Sequence, residues 1–314
     1  MKTAAKSAIR ATVHAALAPV EARLLAHQPQ AKWPHIFILG APRSGTSLFY
    51  ELMVTQFRLA YFTNLAHRFY KTPLAVTKLG TPFMARHKPA YHSDYGHISG
   101  WAAPNEGGWI WQRWLEDGPW ADESSVEKLP ADEIRSTLAG MSRLSAAPFI
   151  NKNVMHSNRV RLLNALFPGC LFLEVRRDAA DTARSIIRAQ RRNKGPQPDQ
   201  QEWWSVRPSN AGGNTDIERA CRQVSGVEQD IERDCAHIGA DRHLRVDYAD
   251  ICADPKTALS KVARFLEGHI VPMQHLNQFP VPQRFELHPS KPLSHEDEAA
   301  LGDLLADTAA EVSI

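Results

Sequence analysis

The stretch His35–Ser47, HIFILGAPRSGTS, decides the fold. It begins with a continuous apolar run and continues into a loop that contains two glycines, after which Ser47–Gln56 has a helical pattern. Continuous apolar runs are typical of strands in parallel sheets, because helices cover both faces of such sheets. A strand, a short loop and a helix in this order predict the first unit of an α/β fold.

Four further segments have the composition of buried strands, and helical patterns follow two of them. The predicted strands are Arg58–Phe62, Phe149–Asn153, Cys170–Arg176 and His243–Tyr248, and the predicted helices are Ala179–Arg192 and Asp254–Glu267. This alternation predicts a single α/β domain with a mostly parallel central sheet flanked by helices. We assign residues 34–314 to this domain, with insertions around 72–119 and 193–214.

Residues 1–33 precede the domain and have apolar residues at helical spacing. Because Pro19 interrupts the pattern, we expect a helix that is kinked or split there. Two roles are open for it, docking on the domain or peripheral contact with a membrane surface through Lys2, Lys6 and Arg10. The chain has no uninterrupted run of about 18 apolar residues, so no transmembrane span is expected.

The composition is that of an ordinary globular protein, with 43% hydrophobic and 23% charged residues, which excludes a disordered chain. The net charge of +3 is too small to imply a nucleic-acid partner. The four cysteines form no CxxC pair, so we expect buried free thiols, a cytoplasmic location and no zinc site.

The loop that follows the first apolar run has the features of a phosphate-binding loop. A strand-to-helix loop directs backbone N–H groups and a helix N-terminus at one place, and Gly45 lets a ligand approach the backbone closely. The polar side chains expected at the phosphate are those of Arg43, Ser44, Thr46 and Ser47. The alternative is an ordinary turn with a capping serine.

This loop differs from that of a nucleoside triphosphatase, because Thr46 and not lysine follows Gly45. No strand ends in an aspartate that would hold magnesium, since the fourth predicted strand leads into Arg176 and Arg177. The loop is therefore suited to phosphate binding and poorly equipped for metal-assisted phosphoryl transfer.

Four segments in this order resemble the motifs of sulfotransferases that use 3′-phosphoadenosine 5′-phosphosulfate (PAPS). Pro42–Ser47 is similar to their 5′-phosphosulfate loop, P-x-x-S-G-T-[ST], with one residue fewer after the proline. Arg177-Asp178, with Ser185 eight residues after the arginine, is similar to their 3′-phosphate motif. Residues 151–168 resemble the tyrosylprotein branch, and residues 245–268 resemble later family elements.

The resemblance implies a P-loop-like nucleotide-binding topology and transfer of a sulfuryl group from PAPS to an acceptor hydroxyl. Arg177 and Ser185 would hold the 3′-phosphate, and Arg43 and Lys152 would stabilise the charge on the departing 3′-phosphoadenosine 5′-phosphate (PAP). Protein cations alone can provide this stabilisation, so no metal is expected. The alternatives are a small-molecule kinase of related fold and a non-catalytic protein that binds PAPS or PAP.

A general base is needed to accept the proton of the acceptor hydroxyl. The tyrosylprotein branch carries a glutamate shortly after its phosphosulfate loop, whereas this chain has Asn64 there. Glu106 is the first candidate for the base, His97 the second and His92 the third. If an apolar wall partly buries Glu106, its pKa rises toward neutrality, which improves it as a base.

The acceptor is expected to be a carbohydrate or glycolipid, with a peptide tyrosine or a small phenol second, because tryptophans crowd the two insertions. Tryptophan at helical spacing is more often core than ligand platform, so only the tryptophans in loops favour a stacking role. The tryptophans in question are Trp101, Trp109, Trp111, Trp114, Trp120, Trp203 and Trp204.

Overall fold

The computed structural model describes residues 2–26, 31–92, 96–115, 121–194, 205–287 and 289–311. The strands in these ranges are β1 (Ile36–Leu39), β2 (Ile150–Lys152), β3 (Leu171–Arg176) and β4 (His243–Asp247). The helices are α1 (Lys2–Ala26), α2 (Thr46–Gln56), α3 (Asn64–Arg68), α4 (Pro73–Gly80), α5 (Gly108–Gln112), α6 (Ala131–Ser145), α7 (Val160–Leu166), α8 (Ala179–Lys194), α9 (Asp216–Ile238), α10 (Tyr248–Ala253), α11 (Pro255–Gly268) and α12 (His295–Glu311).

The four strands form one parallel sheet in the order β2-β1-β3-β4. The prediction of an α/β domain with a parallel sheet is confirmed. Because the strands run in the same direction, their carboxyl ends lie at one edge of the sheet, which is where open α/β sheets bind ligands. The phosphate-loop candidate, the residues after β2 and Arg177 all follow strands at this edge.

Helices cover both faces of the sheet, as the continuous apolar runs require. Along β1, Phe37 and Leu39 belong to one hydrophobic cluster and Ile36 and Ile38 to the other, because successive side chains of a strand point to opposite faces. All four side chains are fully buried. The two clusters fix β1, and therefore the loop that follows it, at the centre of the domain.

The N-terminal segment forms one helix that continues through Pro19, so it is not split there, and the alternative of a kink stays a prediction. The helix packs against α4 and α6. Its buried Glu21 carboxylate accepts the N–H groups of Leu74 and Ala75, at 3.3 and 2.6 Å, in the first turn of α4. The guanidinium of Arg10 lies 5.1 Å from the ring centroid of Trp109. These tertiary contacts support the docking role, whereas membrane contact and the boundary at residue 33 stay predictions.

The predicted strand at Arg58–Phe62 is wrong, because this segment makes only an isolated parallel bridge between Ala60 and Phe149. Ala60 donates to the carbonyl of Pro148 and accepts from the N–H of Ile150, both at 2.8 Å. The chain then turns away, and Thr63 bridges Pro104 in the antiparallel sense. A single bridge beside the three-residue strand β2 is too short to form a fifth strand.

Much of the insertion at residues 72–119 is ordered rather than an irregular loop. It contains α4, a short 3₁₀ helix at Thr81–Phe83 and α5. Pro73 occupies the first turn of α4, where its missing N–H costs nothing. In the second insertion, α8 extends to Lys194, and described residues 205–214 form neither helix nor strand.

No helix in the described ranges is long and apolar enough to cross a membrane. All four cysteines are buried and form no disulfide, as expected from the sequence. Burial raises the pKa of the Cys221 thiol to about 11, so this thiol is unreactive at neutral pH.

Candidate active site

A cavity of about 780 Å³ opens at the carboxyl edge of the sheet. Seven parts of the described chain form its walls. They are the loop after β1 with the first residues of α2, four residues of the first insertion (Tyr91, His92, Gly96 and Glu106), the end of β2, Arg177 with Ser185 of α8, Ser205, Tyr248 at the start of α10, and Phe285, Glu286 and Ser290. The predicted site residues that line it are Arg43, Gly45, Thr46, Ser47, Glu106, Lys152, Arg177 and Ser185. The fold thus brings together side chains that lie up to 142 residues apart in sequence.

The loop after β1 presents an uncapped helix N-terminus to this cavity. Gly45 is the N-cap of α2, has a φ of 96° and provides no side-chain cap for the first N–H groups of the helix. A Cβ at Gly45 would lie 2.1 Å from the Tyr248 ring, so only glycine fits. Thr46 and Ser47 line the cavity beside the helix end. Free N–H groups and hydroxyls at one point form an anion site.

The structure places Ser44 inside the loop, and its role in phosphate binding stays a prediction. Its side chain does not line the cavity and is only 1% exposed. It lies on the side of Gly40, because a Cβ placed at Gly40 would be 2.8 Å from the Ser44 hydroxyl oxygen. The Ser44 N–H donates to the carbonyl of Ala41 at 3.2 Å. Ser44 therefore belongs to the internal packing of the loop.

One wall of the cavity is cationic and combines the two motifs seen in the sequence. Arg43 donates from Nε to the Ser185 hydroxyl at 3.1 Å. The guanidinium of Arg177 lies 3.6 Å from the Asp181 carboxylate and lines the same cavity. Asp181 also pairs with Arg184 at 3.3 Å, so it does not depend on Arg177 alone. Two arginines and a hydroxyl on one wall suit a phosphate dianion.

Tyr248, at the start of α10, is a site residue to which the sequence reasoning gave no role. Its ring packs against Gly45 and lies 5.1 Å from the Arg177 guanidinium. Burial raises the pKa of the Tyr248 phenol to about 12, although the charges of Arg177 and Arg43 act in the opposite direction. Tyr248 lies in the 245–250 segment, which resembles the family. That resemblance was the feature of the sequence that could have indicated a site role for this tyrosine.

Lys152 and Glu106 meet at another wall of the cavity. The Lys152 ammonium donates to the Ser47 hydroxyl at 3.1 Å and also contacts the Glu106 carboxylate. The Lys152 side chain is 4% exposed, whereas that of Glu106 is 31% exposed. The surroundings of Glu106 are therefore not purely apolar, because the buried Lys152 ammonium lies against its carboxylate.

A buried network of asparagines holds the Glu106 segment in place, and the sequence reasoning missed it. Asn151 is fully buried, and its Oδ1 accepts from Trp111 Nε1 at 2.8 Å and lies 2.9 Å from His156 Nε2. Its Nδ2 lies 3.4 Å from the carbonyl of Glu106. Burial lowers the pKa of His156 well below its ordinary value, so the ring is neutral.

Asn64, which stands where the tyrosylprotein branch has a glutamate, is part of this bracing. Its Nδ2 donates to the carbonyls of Ile98 and Gly100, both at 2.7 Å. Its Oδ1 accepts from Asn105 Nδ2 at 2.6 Å. Asn64 therefore fixes the residues on both sides of the turn that leads to Glu106.

The two histidine candidates differ in position. His97 is exposed and does not line the cavity, whereas His92 does. Of these two histidines, only His92 lines the cavity in which a base must reach the reacting hydroxyl, and the choice of base stays a prediction.

The tryptophans that the structure describes do not form a stacking platform in the cavity. Trp111 and Trp114 are buried in the core, and neither Trp101 nor Trp109 lines the cavity. Trp109 stacks on His67 instead, with 4.6 Å between ring centroids. The remaining three, Trp120, Trp203 and Trp204, lie outside the described residues.

The fold and this cavity define an α/β protein in which a helix N-terminus and a cationic wall line one cavity. A model of the sulfotransferase family matches residues 34–270, which is most of the chain. The protein therefore belongs to the sulfotransferase family, as the resemblance of its motifs indicated. No curated protein matches the chain significantly.

Solved structures with a similar fold are bacterial sulfotransferases of low sequence identity. Sulfotransferase STF9 from Mycobacterium avium is 17% identical, with a TM-score of 0.52 over 94% of this chain and 72% of that chain. A sulfotransferase from Alicyclobacillus acidocaldarius is 16% identical, with a TM-score of 0.45 over 88% and 93%. The sulfotransferase domain of the Synechococcus PCC 7002 olefin synthase is 20% identical, with a TM-score of 0.41 over 89% and 97%.

Proposed function

We propose that this sulfotransferase moves the sulfuryl group of PAPS to an acceptor hydroxyl and releases PAP. The observation that carries the proposal is the hydrogen bond between Arg43 and Ser185, which joins the phosphosulfate-loop candidate to the 3′-phosphate candidate. A cavity with an anion site from each motif suits a nucleotide with phosphate groups on both sides of its ribose. Its volume of about 780 Å³ lies within the range of small-molecule sites.

On the donor side, the residues fit two separate anionic groups. The N-terminus of α2, with Thr46 and Ser47, would hold the 5′-phosphosulfate, and Arg177 with Ser185 would hold the 3′-phosphate. Arg43, which contacts Ser185, lies between these two groups of residues. The absence of a metal from the reaction stays a prediction, and these cations are sufficient to stabilise the charge that develops on PAP.

On the acceptor side, the hydroxyl oxygen attacks sulfur, the bond between sulfur and the bridging phosphate oxygen breaks, and PAP leaves with the electron pair. Glu106 accepts the hydroxyl proton, and the Lys152 ammonium is positioned to stabilise the departing oxygen. Lys152 contacts both Glu106 and Ser47, so it links the base to the phosphosulfate loop. The assignment of these roles is part of the proposal.

A carbohydrate or glycolipid acceptor stays a prediction, and the described tryptophans give it no support, because none of them lines the cavity. A phenol or peptide tyrosine stays the second candidate. A cytoplasmic location also stays a prediction.

The proposal is tested by incubating the protein with labelled PAPS and a panel of sugars, glycolipids, phenols and tyrosine peptides in the presence of EDTA. Sulfated acceptor and PAP should form in equal amounts, and mass spectrometry identifies the product. Phosphate transfer from ATP that requires magnesium would favour a kinase instead. Tight PAP binding without transfer to any acceptor would favour the non-catalytic alternative.

A further inference from the structure

A second cavity, of about 530 Å³, lies at the opposite end of α2 from the phosphosulfate loop. Val54 and Thr55 line it, whereas Thr46 and Ser47 line the active-site cavity. These positions are about 12 Å apart along the helix axis, at about 1.5 Å per residue. No described residue lines both cavities. The second cavity is therefore separate from the proposed sulfuryl-transfer site.

The lining of this cavity is mainly apolar. Its walls include Phe57, Leu59, Leu144 and Phe279. Phe83 stands in sequence between the lining residues Pro82 and Met84 and is 90% exposed. An exposed phenylalanine beside an apolar cavity of this size is typical of a ligand site rather than of a packing defect.

The charges of the lining all have one sign. Arg58, Lys78 and Arg86 contribute three cations, and none of the described lining residues is an aspartate or glutamate. None of the three cations forms an ion pair with a described residue, and all three are exposed. The nearby Glu51 is buried behind the wall, where its carboxylate contacts His87 at 2.7 Å. The cavity therefore combines an apolar interior with a positively charged rim.

We infer that this cavity binds a single-chain anionic amphiphile, which enters as a monomer. The alkyl chain occupies the apolar interior, and the anionic head group lies at the rim near Arg58 and Arg86. An uncharged or cationic molecule of the same length would gain the same apolar contacts and lose the attraction of the rim. Charge complementarity thus selects the anion.

Calorimetric titration with dodecanoate below its critical micelle concentration tests this inference. One dodecanoate should bind per chain, at least about ten-fold more tightly than dodecyltrimethylammonium. Arg86→Ala and Arg58→Ala should each weaken dodecanoate binding about three- to ten-fold, whereas Lys88→Ala, which removes an exposed cation outside the lining, should leave it unchanged. Ala85→Trp should fill the cavity and abolish binding.

PAP affinity, measured on the same variants, reports whether each variant is folded and is expected to stay unchanged. Equal affinity for the anionic and cationic amphiphiles would overturn the inference. So would full dodecanoate binding by an Ala85→Trp variant that still binds PAP, or displacement of dodecanoate by PAP. Binding to phosphatidylglycerol vesicles without binding of the monomer would also overturn it and would point to a membrane surface.

Discussion

Glu106→Gln is the substitution that isolates proton transfer from nucleotide binding. Glutamine keeps the size of the side chain, and its carbonyl oxygen can still accept from the Lys152 ammonium. Lys152 also keeps its hydrogen bond to Ser47 at 3.1 Å, so the variant retains a partner for the buried cation. The phosphosulfate loop should therefore keep its structure.

The expected effect is a fall in kcat of about 100-fold or more, because general base catalysis contributes about 10²–10⁴-fold. This corresponds to at least about 2.7 kcal/mol of transition-state stabilisation. PAP affinity should stay within about three-fold of the wild-type value, since Glu106 faces the acceptor in the proposed mechanism. The acidic limb of the kcat profile against pH should disappear in the variant.

Steady-state kinetics and PAP titrations on the same preparations supply both readouts. Glu267→Gln removes an exposed carboxylate on α11 and is the matched control, for which no change is expected. If Glu106→Gln retains its kcat and His92→Ala or His97→Ala does not, the reasoning about the base is refuted.

Four further predictions concern the metal, two residues of the loop after β1, and the N-terminal helix. Turnover should survive EDTA. Arg43→Ala should reduce kcat more than it reduces PAP affinity if the contact of Arg43 strengthens as PAP leaves. Steady-state kinetics measure the first quantity, and PAP titrations measure the second. Gly45→Ala should reduce PAP affinity by ten-fold or more, because a Cβ at this position would lie 2.1 Å from Tyr248 and the backbone φ is 96°. Unchanged PAP affinity would contradict the claim that only glycine fits at this position. Burial raises the pKa of Glu21 to about 6. The folded state therefore binds more protons than the unfolded chain between pH 4.5 and 6, and the free energy of unfolding falls as the pH rises through this range. The Glu21→Gln variant lacks this ionisation. In denaturant titrations, its free energy of unfolding minus that of the wild type should therefore rise by about 1 kcal/mol between pH 5 and pH 7. A difference that stays constant with pH would contradict the raised pKa of Glu21.

The parallel sheet could be predicted because both of its faces are covered. Burial on both faces produces continuous apolar runs such as those of β1 and β3, and each strand leads into a recognisable loop or helix. The segment Arg58–Phe62 has the same composition, but only Ala60 is paired. An apolar composition indicates that a segment is buried. It does not indicate whether the neighbouring strand is long enough for the two segments to pair.

The charged part of the candidate site was predictable in composition and only partly in geometry. Arg43, Arg177 and Ser185 stand in loops and helix starts that meet at one edge of a parallel sheet, so their convergence follows from the topology. The inward position of Ser44 was not predictable, because it depends on the local path of the loop. The contact between Lys152 and Glu106 joins residues 46 positions apart, and no local pattern encodes it.

The asparagine network could not be predicted from the sequence, for a different reason. In the sequence, Asn151 lies within a predicted strand and Asn64 indicates only a missing glutamate, whereas in the structure both residues brace the segment that carries Glu106. A buried amide is stable only when its hydrogen bonds are satisfied, and its partners come from distant segments. Such networks become apparent only when the tertiary structure is known.

The central claim is that PAPS is the donor, and the discrimination of its 3′-phosphate by Arg177 tests it most directly. Calorimetry gives the affinities of PAPS and of adenosine 5′-phosphosulfate, which lacks that phosphate, for wild type, Arg177→Ala and the exposed control Arg264→Ala. Arg177→Ala should lose about 2–4 kcal/mol of PAPS binding, or about 30- to 900-fold, and almost none for adenosine 5′-phosphosulfate. Equal weakening of both nucleotides, or equal affinity of the wild-type protein for both, would contradict the claim.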